Sequence, residues 1–296
     1  PLLLAIPSCL RGVRDRADAG GWWRWVAGLG LVVCVAAERL SGGSASGLWQ
    51  TALYATVILA LSQRWGRRPA GAVIGAPAGD DAAGSPAAGL SSAAPGLRDF
   101  LLIAVLWLPL ELRLVGGNSM LLRLLGLDLV LLLYLVERPL WDPGRILPAR
   151  AAEWRWALGA YAAFLVVAIP FAVVTGFAVP GMAERAAGGW ALFFFSTFWI
   201  VALPEEALFR GAIQRLLEGV LRNRPIVALL IASVVFGLAH LNNRNGAAPD
   251  WRYVLLATLA GIAYGTAFRR TGNLAAPVLC HFLVDITWRG LFAGGR

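Results

Sequence analysis

The sequence contains no lysine: all 26 basic residues are arginine, set against 17 acidic ones in a chain of 296 residues. Cysteine is almost as scarce. Cys9, Cys34 and Cys280 are too few and too scattered for a disulfide framework or a cysteine-ligated zinc site. Histidine occurs twice, at His240 and His281. Charged residues are 15% of the chain, where a soluble domain carries about 25%. That shortage argues against a soluble globular enzyme, and it excludes a disordered chain and a nucleic-acid module, although a net charge of +9 on its own suggests DNA binding. What is plentiful is apolar: 58% of the residues are hydrophobic, against about 45–50% in soluble domains.

The apolar residues fall into about nine runs, over 22–37, 48–61, 100–115, 121–136, 156–178, 190–216, 226–240, 253–268 and 274–292. The third is weak, interrupted by Pro109, Glu111 and Arg113. A membrane-crossing helix needs about 20 residues at a rise of about 1.5 Å, and several runs are shorter, so the expected fold is an all-α, polytopic membrane helix bundle of 8–9 transmembrane helices. Between the second and third runs, 23 of the 28 residues from 69 to 96 are Ala, Gly, Pro or Ser. Such a segment buries too little apolar surface to offset its ordering entropy, so it is expected to be a disordered linker. The expected organisation is an N-terminal transmembrane hairpin over 1–66, the linker over 67–98, accessory transmembrane helices over 99–184 and a catalytic helix bundle over 185–296. No cleavable signal peptide is expected.

Arginine sets the expected orientation. Arg11, Arg14, Arg16 and Arg24 precede the first run, and Arg64, Arg67, Arg68 and Arg98 follow the second. Arg138, Arg145, Arg150 and Arg155 follow the fourth, Arg215, Arg222 and Arg224 the sixth, and Arg269 and Arg270 the eighth. The alternate loops carry only Arg39, Arg185, and the pair Arg244 and Arg252. Membrane proteins keep their basic loops in the cytoplasm, so nine spans put the N-terminus there. Tryptophans at the ends of runs, such as Trp22, Trp154 and Trp190, fit an interfacial belt. The expected partners are membrane lipid and a membrane-associated peptide or protein, with no nucleic acid. The sequence leaves the oligomeric state open.

Against this background a few polar residues stand out. The sixth run reads WALFFFSTFWIVALPEEALFRGAIQRLL and holds Glu205, Glu206 and Arg210. Three charges at membrane depth cost roughly 7–10 kcal/mol before any pairing. Glu206 and Arg210 are spaced i, i+4 with the carboxylate N-terminal, the favourable order for an ion pair. Glu205 points about 100° away from Glu206 and has no such partner, which leaves it free for chemistry. Pro204 before it frees a backbone carbonyl one turn back and kinks the helix. The seventh run ends SVVFGLAHLNN, placing Phe236 and His240 on one face. The ninth reads LAAPVLCHFLVDITW, where Asp285, four residues beyond His281, can fix the imidazole's tautomer. Asn242, Asn243 and Asn273 add polar groups nearby. Each of these residues taken singly also fits a structural role as an interhelical cross-link.

Together they suit water activation. A glutamate serves as general base, His240 helps to position the water, and His281 with Asp285 stabilises the oxyanion. Amide hydrolysis is the natural reaction. Ser196 and Ser233 have no base at motif spacing, and neither HExxH nor GxGD occurs. No cofactor is expected, with zinc on Glu205, His240 and His281 as the alternative. Two other functions compete: a transporter or proton relay built on the buried Glu, His and Asp, and a non-catalytic immunity or scaffold protein. No internal repeat relates the two halves of the sequence, which counts against the transporter.

EEALFR (Glu205 to Arg210), FGLAH (Phe236 to His240) and HFLVD (His281 to Asp285) resemble the EExxxR, FxxxH and HxxxN/D motifs of the CPBP family of CAAX-prenyl-protease and bacteriocin-processing (Abi) intramembrane proteases. The stretch GIAYGTAFRRTGNLAAPVL is similar to the family's connecting helix and turn. The resemblance covers about 190–287. It implies that Glu205 and His240 activate the water, that His281 and Asp285 form the oxyanion site, and that Glu206 and Arg210, with Phe236, support the geometry. Asp285 stands where many members have asparagine. An ionised carboxylate accepts hydrogen bonds but cannot donate them, which leaves it the role of orienting His281. Within the family both a metal-dependent mechanism and a metal-free glutamate mechanism have been described, and the latter is the expectation here. All-arginine usage points to a GC-rich bacterium, so the expected location is the bacterial cytoplasmic (inner) membrane. Peptide maturation, bacteriocin immunity and membrane-protein turnover then suit better than prenylated CAAX substrates.

Overall fold

The computed structural model describes residues 96–111, 146–181, 187–222, 224–241 and 249–292. The runs expected at 22–37, 48–61 and 121–136, the linker as far as residue 95, and Asn242 and Asn243 lie outside them. The described residues are helical, with no β-strand among them beyond one isolated bridge between Pro180 and Phe292. The chain divides into two compact units, Pro1–Asp142 and Pro143–Arg296.

The first unit contributes helix α1, Leu97–Glu111. It opens on a local clasp in which the Gly96 amide donates to the Asp99 carboxylate at 2.9 Å, a negative charge at the positive end of the helix dipole.

The second unit holds five helices. Helix α2 is Ala151–Val174. Helix α3 runs continuously over residues 187–220, but its pitch changes: two π-helical stretches, Thr197–Ala202 and Ala207–Gln214, flank a single α-helical turn, Leu203–Glu206. Helices α4, α5 and α6 are Pro225–Ala239, Trp251–Thr271 and Ala275–Leu291. Their ends follow from local chemistry. Pro225 occupies the first turn of α4, where its missing N–H costs nothing. The Asp250 carboxylate accepts from the Arg252 amide at 3.0 Å to start α5. Gly272, at φ 70°, ends that helix in the left-handed conformation that glycine adopts without penalty. One residue on, the Asn273 side-chain oxygen accepts from the Ala275 amide at 3.0 Å and starts α6.

Helix α5 is central to this unit. It packs along α4, α2 and α6, and α6 packs in turn on α2 and on the first π-helical stretch of α3. Small residues permit the closest approach. A β-carbon on Gly261 of α5 would come within 3.0 Å of the Ser233 α-carbon on α4, and one on Gly237 would run into Thr258. Close backbone contact through small residues is how helices associate where burial of apolar surface gives no driving force.

The core is mostly apolar, but it also encloses charged and polar side chains, and large apolar side chains face outward. Glu206, Arg210, Gln214 and Ser233 are fully buried, whereas Val166 and Val174 on α2, Leu192 on α3 and Ile226 on α4 are all more than 60% exposed. Helix α2 and the stretch Gly189–Val220 of α3 are each long and apolar enough to cross a membrane. The shorter apolar α4 has 15 residues.

Candidate active site

The site is built outward from the single α-helical turn of α3. Pro204 has no N–H to offer its own helix. Just before it, the Leu203 N–H reaches back five residues to the Phe198 carbonyl, the wider spacing of a π-helix. Glu205 and Glu206 follow between two such stretches. π-Helical turns inside α-helices are frequent at functional sites; from sequence, Pro204 announces a kink but not this change of pitch.

The two adjacent glutamates have different surroundings. Glu206 is fully buried and doubly engaged: one oxygen accepts from Arg210 Nε at 2.9 Å and the other faces His281 Nδ1 at 2.9 Å. Glu205 is one-third exposed at its side chain, and its buried Oε2 has no hydrogen-bond partner among the described residues. That oxygen stands 3.9 Å from His281 Nε2. Asp285 Oδ1 lies 3.8 Å from the same nitrogen, and Arg289 Nη2 approaches Asp285 Oδ2 at 3.4 Å.

These distances correct one expectation. The i, i+4 spacing on α6 assigns Asp285 to orient His281, yet 3.8 Å is too long for a direct hydrogen bond. Glu206, on another helix, holds Nδ1 instead. An ionised carboxylate only accepts, so Nδ1 carries the proton. Tyr264 of α5 fixes the ring plane, stacking on His281 at 4.6 Å with the rings 14° apart. With one nitrogen and one face held, Nε2 is directed at the gap between Glu205 and Asp285. A water in hydrogen-bond contact with two groups at about 2.8 Å spans about 3.9 Å when its two bonds are near right angles. Both measured separations therefore suit one bridging water.

The second histidine closes α4. His240 Nδ1 lies 2.8 Å from the Phe236 carbonyl oxygen, so it donates there and leaves Nε2 as the acceptor. Its ring lies 4.6 Å from the Phe236 ring and 5.3 Å from that of Tyr253. Phe236 touches much of the site: its ring meets His281 edge-on at 5.9 Å and Phe209 at 4.8 Å, and the Arg210 guanidinium lies 5.1 Å over it. Neither Tyr264 nor Tyr253 is singled out by the sequence reading: Tyr264 lies within the stretch that resembles the family's connecting helix, and Tyr253 has no signal beyond the scarcity of tyrosine, five in all. Asn273 sits apart from the reacting groups, bonded to Glu153 of α2 at 2.8 Å.

Zinc on Glu205, His240 and His281 is the alternative that the sequence leaves open; among the described residues no three His, Cys, Asp or Glu side chains form a group that could hold a metal ion.

Residues 187–287 match the family model described as Type II CAAX prenyl endopeptidase Rce1-like. The resemblance carried by the three motifs therefore holds over this third of the chain, which contains Glu205, Glu206, Arg210, Phe236, His240, His281 and Asp285. The family is one of membrane-embedded CAAX-type proteases. The chain is also similar to "Uncharacterized protein YpbD" of Bacillus subtilis (strain 168), 28% identical over 86 residues, which is 29% of this chain and 38% of that protein. The chain thus spans well under half the length of this relative. No solved structure matches it.

Proposed function

We propose that the chain is an intramembrane endopeptidase that hydrolyses a peptide bond of a membrane-anchored protein or peptide with a water activated by Glu205. The observation that carries this reading is the unpartnered Glu205 Oε2 standing 3.9 Å from His281 Nε2, while Glu206 and Arg210 lock the other side of that imidazole. Glu205 takes a proton from the bridging water, whose oxygen attacks the scissile carbonyl carbon. His281, held in one orientation, donates from Nε2 to the developing oxyanion when protonated. His240, its Nδ1 held by the Phe236 carbonyl, helps to position the water from the end of α4. Asp285 biases the gap electrostatically. The leaving amine recovers the proton held by Glu205 as the C–N bond breaks.

The setting we propose is the bacterial inner membrane, crossed eight or nine times with the N-terminus in the cytoplasm. Support comes from the alternation of arginine-rich loops and from the exposed apolar flanks of α2, α3 and α4. The catalytic bundle is residues 185–296, and no cofactor takes part. The test works whatever the substrate is. Membranes from cells making the intact chain or its Glu205→Gln variant are compared by mass spectrometry of new peptide termini. Termini that appear only with the intact chain support the reading. Identical sets of termini, with Glu205→Gln blocking proton flux in liposomes, would establish a relay instead.

A further inference from the structure

A hydrolytic site needs donors where the carbonyl oxygen gains charge, about 2.7–3.1 Å from it. The gap beside Glu205 is rich in acceptors. Glu205 and Asp285 are both carboxylates, and an ionised carboxylate donates nothing. Glu205 Oε2 and Asp285 Oδ2 are both buried without a hydrogen-bond partner, although Arg289 stands 3.4 Å from the latter. Tyr253, in the first turn of α5, has the complementary deficit: its hydroxyl has no hydrogen-bond partner among the described residues. Its ring is fixed between His240 at 5.3 Å and Phe177 at 5.6 Å, and Phe177 leans on Trp288 of α6 at 5.7 Å, one turn beyond Asp285. The neighbouring Arg252 pins this end of α5 by donating to the Thr175 carbonyl at 2.8 Å. The charges that act on Tyr253 are those of Asp285, Glu205 and Arg289. Two buried acceptors without a donor are costly when dry, and the half-buried tyrosine that carries the hydroxyl packs on His240. One water can satisfy all three by donating to the two carboxylates and accepting from the hydroxyl, and a substrate carbonyl oxygen can accept from the hydroxyl in its turn while the water stays with Glu205.

We propose that the Tyr253 hydroxyl is the neutral donor of this site, bonding to water at rest and to the scissile carbonyl oxygen as water attacks. It supplies the hydrogen bond that Asp285 cannot. This rests on the endopeptidase reading. The hydroxyl keeps its proton throughout: the new C–O bond comes from the water, whose proton goes to Glu205, and the electron pair of the breaking C–N bond leaves with the amine.

The test uses the full chain in lipid nanodiscs with a farnesylated fluorogenic CAAX peptide as probe. Tyr253→Phe is expected to lower kcat about a hundredfold with KM within about threefold and thermal stability unchanged. A role in packing alone would move stability and leave that split unseen. If Tyr253→Phe turns over normally while Glu205→Gln is dead, the donor assignment is overturned and the endopeptidase reading stands. If Glu205→Gln itself turns over normally, that reading falls and the donor role with it. Infrared spectra of the same samples decide the matter even where the intact chain leaves this peptide uncut. Tyr253→Phe should shift a carboxylate stretching band, and the shift should vanish in a Glu205→Gln, Asp285→Asn background. No band shift overturns the proposal.

Discussion

Two buried glutamates in the second unit carry opposite lessons. Glu153, at the start of α2, has every oxygen occupied: Oε2 accepts from the Ala149 and Arg150 amides at 2.8 and 3.0 Å, and Oε1 accepts from the Asn273 side chain at 2.8 Å. It ties the first turn of α2 to the turn between α5 and α6. Glu205 is more open, yet its buried oxygen has no hydrogen bond. A carboxylate saturated with donors is a rivet, whereas one left unsaturated beside an imidazole is available to take a proton. Burial does not separate the two roles; the count of hydrogen bonds does.

That contrast can be broken most sharply at Glu205 itself. Glu205→Gln preserves shape and should cut the rate by about 10⁴-fold, equivalent to ~5 kcal/mol of barrier, with a melting temperature close to that of the intact chain. Cleavage assays and thermal denaturation in detergent check both halves. Next in size is Arg210→Ala, which leaves Glu206 buried with its guanidinium partner gone. A loss of about 3–5 kcal/mol in stability is expected, and activity should fall with it because Glu206 also holds His281. Glu153→Gln sharpens the comparison from the other side. It should lower stability by roughly 1–3 kcal/mol, since an amide replaces an acceptor that serves backbone donors, while the rate per folded molecule stays within about twofold. An effect of similar size is expected at Gly261→Ala. The added methyl must displace the Ser233 backbone on α4, about 1–3 kcal/mol at a packed seam, and a near-neutral result would mean that the α4–α5 contact is looser than described.

The sequence makes some of this legible and hides the rest for identifiable reasons. The Glu206–Arg210 pair follows from i, i+4 spacing because both partners lie on one helix, and local geometry decides the contact. The same rule misassigns the partner of His281. Asp285 is the local candidate, but the bond goes to Glu206, 75 residues away in sequence, across an interhelical contact that periodicity does not encode. Glu153 and Asn273 are hidden more deeply still, at a separation of 120 residues. The different surroundings of Glu205 and Glu206 follow from the 100° rotation between neighbours on a helix. The two π-helical stretches that set their depth have no signature beyond Pro204. The helical class and the apolar character of α2 and α3 follow from composition, since runs this long have few alternatives in a chain with so little charge.

If Glu205 activates water, a water sits between it and the directed nitrogen of His281. An experimental structure of the full chain in nanodiscs, at a resolution that shows ordered solvent, tests it most directly. One water is expected within about 3.2 Å of both Glu205 Oε2 and His281 Nε2. A direct carboxylate–imidazole bond closing the gap, or an apolar side chain filling it, would rule out Glu205 as the base that activates water there.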